Sequence, residues 1–318
     1  MRFKLLAVTT LPLQTQLQWV WYARGTKRFI VGDDRKAFAV TETGAAVGLA
    51  AAREFDERVP AVRPCNLPVP WEVHAELAGE SWHGLRFLEA AAYDLGVDGG
   101  APAEGDLLRT LVFGPDYGLL VLHPASGLVL GLRAGRMELL ERTAAGFHLL
   151  GKTRTRGNAA LAFAGHPTES MIVYGDNAGS FHAHRFDATG WGKASKIAAR
   201  GRKASRAEFG RGGELLVIGG MGYLATYGYA GGKFVLRHEV EMPVRDFLWI
   251  DDGGLVLVNQ GLHGVAAYRY GEAGFQQIGK FEAAGAVRQM ALSACGRYLG
   301  VMVEEMAGVG VYEVAGEG

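Results

Sequence analysis

Val244-Arg-Asp-Phe-Leu-Trp-Ile250, Asp251-Asp-Gly-Gly254, Leu255-Val-Leu-Val258, Val265-Ala-Ala-Tyr-Arg-Tyr270 and Phe275-Gln-Gln-Ile-Gly-Lys-Phe281 form the stretch that decides the fold. Apolar and polar residues alternate over short runs, and glycine or aspartate interrupts the pattern at each reversal. That is the signature of half-buried antiparallel strands joined by tight turns. Four such strands fit within about 42 residues, the size of one supersecondary unit of a repeat protein.

The unit recurs. Met171-Ile-Val-Tyr174, Leu215-Leu-Val-Ile218, Leu255-Val-Leu-Val258 and Tyr298-Leu-Gly-Val301 hold the same place in successive units. The following strand of each carries a ring, at His184, Tyr227, Tyr268 and Tyr312, spaced by 43, 41 and 44 residues. The last unit, Val287–Leu292, Tyr298–Val303 and Val309–Val314, is one strand short, and Phe3–Val8 has the length and alternation to supply it. A ring closed by the N-terminal strand leaves no open end of the array to cap.

Second strands near Phe29, Leu119, Met171, Leu215, Leu255 and Tyr298 mark six units. The 90 residues between Phe29 and Leu119 leave room for one more, around Glu72–Leu77 and Leu85–Leu88. The expectation is an all-β chain, residues 1–318 forming a single β-propeller of seven blades, with six blades and an irregular insert as the rival. Two segments break the period. Residues 43–105 include prolines at 60, 64, 68 and 70, and 143–157 absorb extra length in the 52-residue interval from Leu119 to Met171. The second segment reads as a longer strand pair around Phe147–Leu150 or as an external hairpin.

The phrase Met290-Ala-Leu-Ser-Ala-Cys-Gly-Arg-Tyr-Leu-Gly300 followed by Val309-Gly-Val-Tyr-Glu-Val314 resembles the WD40 and related bacterial propellers, with counterparts at Arg206–Gly219 and Ala160–Gly175. No unit ends in Trp-Asp, so the resemblance is to the superfamily pattern. It implies a protein that binds other proteins or peptides across the face of its ring, an inference from fold alone.

Composition narrows the classes. A chain of 318 residues buries about three quarters of its unfolded surface, enough for a core without metal or disulfides. The 47 glycines suit many tight turns, and the 33 basic and 33 acidic side chains cancel. No global field draws the protein to nucleic acid, which is not expected as a partner. Cys65 and Cys295 lie 230 residues apart in no metal-binding or redox spacing, as for thiols in a reducing compartment. The apolar run Leu5–Val8 is short for a secretory signal, and no stretch approaches the length of a membrane span. The expected location is cytoplasmic.

Three groups of residues carry candidate chemistry. Lys193, Lys196, Arg200, Arg202, Lys203, Arg206 and Arg211 cluster within 19 residues, on an outer strand and the crossing to the next unit. The first six are the candidate contacts for an acidic protein segment. Asp33, Asp34, Asp176, Asn259, Glu304 and Glu305 fall in loops after second strands; converging, they would bind a divalent cation and activate water, as in a lactonase or phosphotriesterase-type hydrolase. Asp and Asn in turns also serve their own backbone. His182 and His184 share one face of a strand, where metal ligation competes with packing between blades at the recurrent ring position. No nucleophile elbow, phosphate loop or dinucleotide fingerprint occurs. The reading favours a non-enzymatic binding or scaffolding protein without cofactor, over the hydrolase and over an architectural or carbohydrate-binding propeller.

Overall fold

The computed structural model describes residues 1–10, 19–23, 28–32, 36–42, 49–54, 119–123, 125–126, 128–133, 136–143, 146–155, 160–176, 178–199, 202–250, 254–293, 295–304 and 308–315. Those residues form 24 strands in six antiparallel sheets of four. In sheet 1, β2 (Trp19–Ala23), β3 (Arg28–Gly32), β4 (Lys36–Thr41) and β5 (Leu49–Glu54) pair in sequence order. Sheet 2 follows with β6 (Leu119–Leu122), β7 (Val129–Arg133), β8 (Arg136–Thr143) and β9 (Gly146–Arg154). Sheet 3 holds β10 (Ala160–Gly165), β11 (Met171–Asp176), β12 (Ser180–Asp187) and β13 (Gly190–Ala199). Sheet 4 holds β14 (Ala204–Gly210), β15 (Leu215–Gly220), β16 (Tyr223–Ala230) and β17 (Lys233–Val240). Sheet 5 holds β18 (Asp246–Ile250), β19 (Leu255–Asn259), β20 (Val265–Gly271) and β21 (Gly274–Phe281).

Sheet 6 draws on both ends of the chain. The strands β22 (Val287–Leu292), β23 (Tyr298–Val303) and β24 (Gly308–Ala315) are completed by β1 (Arg2–Thr10), which pairs with β24 from Arg2 opposite Ala315 to Thr10 opposite Gly308. The Met1 ammonium donates to the Ile278 carbonyl of sheet 5 at 2.9 Å, and Phe3 packs on Phe281 at 4.9 Å between centroids. The apolar first segment is therefore a strand of the last sheet, as its alternation predicts.

The recurrent rings share one register. His184, Tyr227, Tyr268 and Tyr312 lie opposite Ile172, Leu216, Val256 and Leu299, the second residues of β11, β15, β19 and β23. Two residues further on, Phe186, Tyr229, Tyr270 and Val314 donate their N–H groups to Ser170, Glu214, Gly254 and Arg297, at 3.0, 2.7, 2.7 and 2.7 Å. The sequence repeat is thus a repeat of hydrogen-bond geometry.

Apolar alternation buries residues between sheets. Leu130, Met137 and Leu139 of sheet 2 pack with Phe163, Ile172 and Tyr174 of sheet 3. Equivalent layers join sheets 3 and 4, 4 and 5, and 5 and 6. A fifth layer joins sheet 6 to sheet 1 through Met302, Val309 and Val311 against Val20, Phe29 and Val31. The first strands of sheets 3, 4, 5, 6 and 1 touch in succession, β10 to β14, β14 to β18, β18 to β22 and β22 to β2. The result is an all-β molecule of repeated, propeller-like sheets.

Three expectations are corrected. Leu119 opens a first strand, not a second; the second strand of that sheet is β7, whose start at Val129 is 42 residues before Met171. The apparent excess at 143–157 follows from that misplacement: the stretch holds the β8–β9 hairpin, in which Phe147 and His148 pair with Arg142 and Glu141. The segment 43–105, read as breaking the period, holds β5, which completes sheet 1. The proposed strands at Glu72–Leu77 and Leu85–Leu88 lie outside the described residues.

Candidate interaction face

Loops joining second to third strands, and links between sheets, emerge at the same end of each sheet. In sheet 4 that loop is Met221-Gly222. Its tightness needs the positive φ of +84° at Gly222, a conformation free of Cβ strain. The Met221 N–H donates to Lys203 O at 3.1 Å, and Gly222 O accepts from the Met242 N–H at 3.2 Å. The link before the sheet and the link after it hold the turn from both sides. The Met221 side chain nevertheless stands 67% exposed.

Sheet 5 presents the equivalent loop as a 3-10 turn over Gly261–His263. The Asn259 Oδ1 accepts the Gly261 N–H at 2.9 Å, and the Gln260 N–H donates to Gly264 O at 2.9 Å. Leu262 sits at the tip, 77% exposed, beside the exposed His263. Charged side chains run between these tips. Arg202 donates to Gly222 O at 3.3 Å and meets Glu241 at 3.4 Å, while Arg245 pairs with Glu304 of the sheet 6 loop. These exposed pairs add little stability, but they neutralise the face around two apolar tips.

Lys193 and Lys196 stand exposed on β13, the outer strand predicted for them, and Arg202 and Lys203 are exposed in the link from sheet 3 to sheet 4. The outer strands β9 and β13 touch, so the exposed Lys152 and Arg154 extend the basic edge onto sheet 2. Arg200 lies outside the described residues. Arg206 does not belong to this surface. It is buried on β14, where its Nε donates to Glu208 at 3.2 Å and its Nη1 to Asp246 of sheet 5 at 3.1 Å. Alternation along β14 turns Arg206 and Glu208 away from the core positions Ala207 and Phe209 and toward Phe247, over which the guanidinium lies at 5.7 Å. A run of basic letters in sequence thus divides between an outer surface and an interior ion cluster.

That cluster is the most strongly perturbed electrostatic site of sheets 4 and 5. Glu208 also accepts the Trp249 N–H at 3.4 Å, and Asp246 accepts the Phe247 N–H at 2.9 Å. Burial pushes Glu208 up to about 7, against the pull of the Arg206 charge. One guanidinium tying two carboxylates across an inter-sheet seam fits a structural clasp, because its Nε and Nη1 are both spent on it.

The loop carboxylates do not gather into a cation site among the described residues. Asp176 Oδ1 accepts the Ala178 and Ser180 N–H groups at 2.9 and 2.8 Å, and its Oδ2 lies 3.7 Å from His182 Nε2. Asn259 serves its own turn and Glu304 pairs with Arg245. Among the described residues no group of three His, Cys, Asp or Glu side chains is placed to hold a metal ion. Asp33, Asp34 and Glu305 lie outside them. His182 stacks on Tyr174 at 5.3 Å, and His184 packs on Trp191 at 4.8 Å with Nε2 at 2.7 Å from Gly192 O. His184 therefore packs against the outer strand of its own sheet; it is Tyr312 that crosses to a neighbouring sheet, stacking on Phe281 at 4.2 Å.

Sequence reasoning missed Met221 and Leu262. Both were legible as single aliphatic residues inside glycine-bounded loops, Gly220-Met-Gly222 and Gly261-Leu-His-Gly264, where turn chemistry asks for polar residues. Among the described residues no helix is long and apolar enough to cross a membrane.

No protein-family model matches the chain, and no curated protein matches it in sequence. Among solved structures, a chain in a crystal structure of a mitotic checkpoint complex aligns with a TM-score of 0.65 at 14% identity, over 99% of this chain and 94% of that one. A protein from Lactobacillus plantarum aligns with a TM-score of 0.52, also at 14% identity, over 63% of this chain and 67% of the other. At that identity the likeness is one of fold, and it agrees with the array of repeated four-stranded sheets.

Proposed function

We propose that this chain is a non-enzymatic, cytoplasmic, WD40-like β-propeller, a single ring of seven blades closed through sheet 6, that binds a protein partner across the face bearing Met221 and Leu262. The observation that carries the reading is the exposure of these two side chains, 67% and 77%, on adjacent loops whose backbones are pinned. Large apolar side chains on backbones already fixed leave only their own rotamers to be ordered when a partner covers them. The basic edge of Lys193, Lys196, Arg202 and Lys203 adds a place for an acidic segment of the same partner. The similarity to a chain of a multiprotein complex agrees with such a role without specifying it. A hydrolase reading finds no support in Asp176, Asn259 and Glu304, which are engaged with their own turns or with Arg245.

The test is affinity capture from the native cell with the intact chain, with Met221→Asp/Leu262→Asp, and with Arg202→Glu/Lys203→Glu. The expected result is one reproducible partner that the apolar double variant fails to retain while melting like the parent. Retention at parental level by that variant removes the face from consideration; loss only with the charge reversals would move the site to the basic edge.

A further inference from the structure

His123 and His166 stand 43 residues apart, one repeat, and each precedes a proline in the turn between the first and second strands of its sheet. Their rings are held alike. His123 Nδ1 accepts the Ser126 N–H at 3.3 Å and lies 3.1 Å from Ser126 Oγ. That assigns the ring proton to Nε2, which donates to the Met171 carbonyl of the next sheet at 3.0 Å. The same carbonyl accepts the His166 N–H at 2.8 Å. His166 Nδ1 in turn accepts the Thr168 and Glu169 N–H groups, at 3.2 and 3.0 Å. Its ring lies over Gly213 of the following sheet, where a Cβ would come within 2.4 Å of Cε1. His123 thus bridges by hydrogen bond from its own turn to the second strand of the next sheet, whereas His166, whose buried Nε2 has no hydrogen-bond partner among the described residues, reaches the next sheet by packing on Gly213 and Phe209.

The surroundings oppose a positive charge. Phe186 meets the His123 ring edge-on at 4.8 Å, and the charged group that reaches it is His166 itself. Phe209 and Tyr229 flank the His166 ring at 4.8 and 5.1 Å, with Glu169 favouring and Arg185 opposing its protonation. A proton on either Nδ1 would face backbone N–H groups that now donate to it. We propose that His123 and His166 form an acid-sensitive latch that, when neutral, ties sheet 2 to sheet 3 and sheet 3 to sheet 4, and that acidification releases the second strands at Met171 and Gly213 before the remaining sheets unfold. Burial, the largest influence on both, lowers His123 to about 4 and moves His166 the same way. The unfolded ring protonates near 6.5. The latch is therefore complete above pH 6.5 and is lost as pH falls toward 4. The inference does not depend on the partner proposed above.

Backbone hydrogen exchange of the full chain at pH 7.5 and 5.0, corrected for intrinsic rates, tests it. Opening of β10–β11 is expected to rise about 30-fold from His123 alone, with opening of β14–β15 rising in the same direction through His166, both ahead of β18–β24. His123→Gln/His166→Gln keeps a neutral donor near each Nε2 and is expected to flatten that rise. A uniform rise across all sheets, or the same local rise in the double variant, overturns the proposal. Should the variant not fold, ring titration of the parent by NMR decides: midpoints at or above 6.5 overturn it, and midpoints below 6.5 for both rings support it.

Discussion

Glu208 and Arg206 are separated by one residue on β14, and their side chains share a face that the next sheet covers. Burying a carboxylate beside a guanidinium exchanges two hydration shells for one short contact, and the exchange is only partly compensated. With the folded-state value raised from 4.5 to about 7 by burial, the unfolded chain gives up the Glu208 proton first as pH rises. The stabilisation is present below 4.5 and is lost through pH 7, by up to about 3 kcal/mol. Glu208→Gln removes this loss. In urea denaturation the variant is expected to gain stability relative to the parent between pH 5 and 8, the difference cancelling the opposite trend from the histidines. A pH-independent difference would mean that Glu208 is ionised throughout. Nothing in the string Lys203-Ala-Ser-Arg206 marks one cation as exposed and the other as interior. Only the pairing with sheet 5 separates them, and that contact is remote in sequence.

At the scale of strands and turns, most of the structure was legible. Val287–Leu292, Tyr298–Val303 and Arg28–Gly32 occupy the bounds their alternation predicts, because each has one face on an inter-sheet layer. Leu119–Leu122 was assigned to the wrong place in its sheet because a first strand and a second strand are both short apolar runs here. Close approach between sheets was hidden for another reason: glycine leaves no periodic mark. A Cβ on Gly300 of β23 would stand 2.7 Å from the Phe29 ring of sheet 1, and one on Gly219 of β15 2.7 Å from the Phe247 ring of sheet 5. Gly219 is a strand residue that lets a neighbouring ring in. Gly300→Ala should therefore cost about 1–3 kcal/mol, measured as a lowered unfolding midpoint. Gly271→Ala, with nothing within 4 Å of the added carbon, should leave the midpoint where it is.

The outer strands share a further device. The pairing of third with fourth strand breaks register at least once in every one of the six sheets, at Phe38/Val40, Leu139/Leu140, Phe181/His182 and again His184/Phe186, Thr226/Tyr227, Ala267/Tyr268 and Leu5/Ala7. An edge strand that kinks is a poor template for another chain. This explains how β17 carries Val235 and Leu236, 56% and 45% exposed, on an unpaired edge.

For the molecule as a whole, the order of sheets follows from the period of the sequence, and the joining of its ends follows from the missing strand of the last unit. The candidate face was less legible, since the repeat locates the loops while only the fold says which side chains project from them. Removing residues 1–10 tests the joint. It strips β24 of one of its two partners and takes Phe3 from Phe281, so the shortened chain is expected to form larger species than the parent in size exclusion with light scattering. A peptide of residues 1–10 added during refolding should restore the parental size. A shortened chain of parental size and stability would show that sheet 6 stands on three strands.

That joint also has a history within each molecule. Arg2 leaves the ribosome 313 residues ahead of Ala315, its partner. At about 5–20 residues per second, the first strand waits roughly 15–60 s for the strand it pairs with. Throughout that interval β1 is an unpaired apolar segment beside a growing row of sheets whose last member cannot yet exist. The strand made ahead of the other described strands is among the last to be placed, and a chaperone that met this chain during synthesis would find it before its sheet is finished.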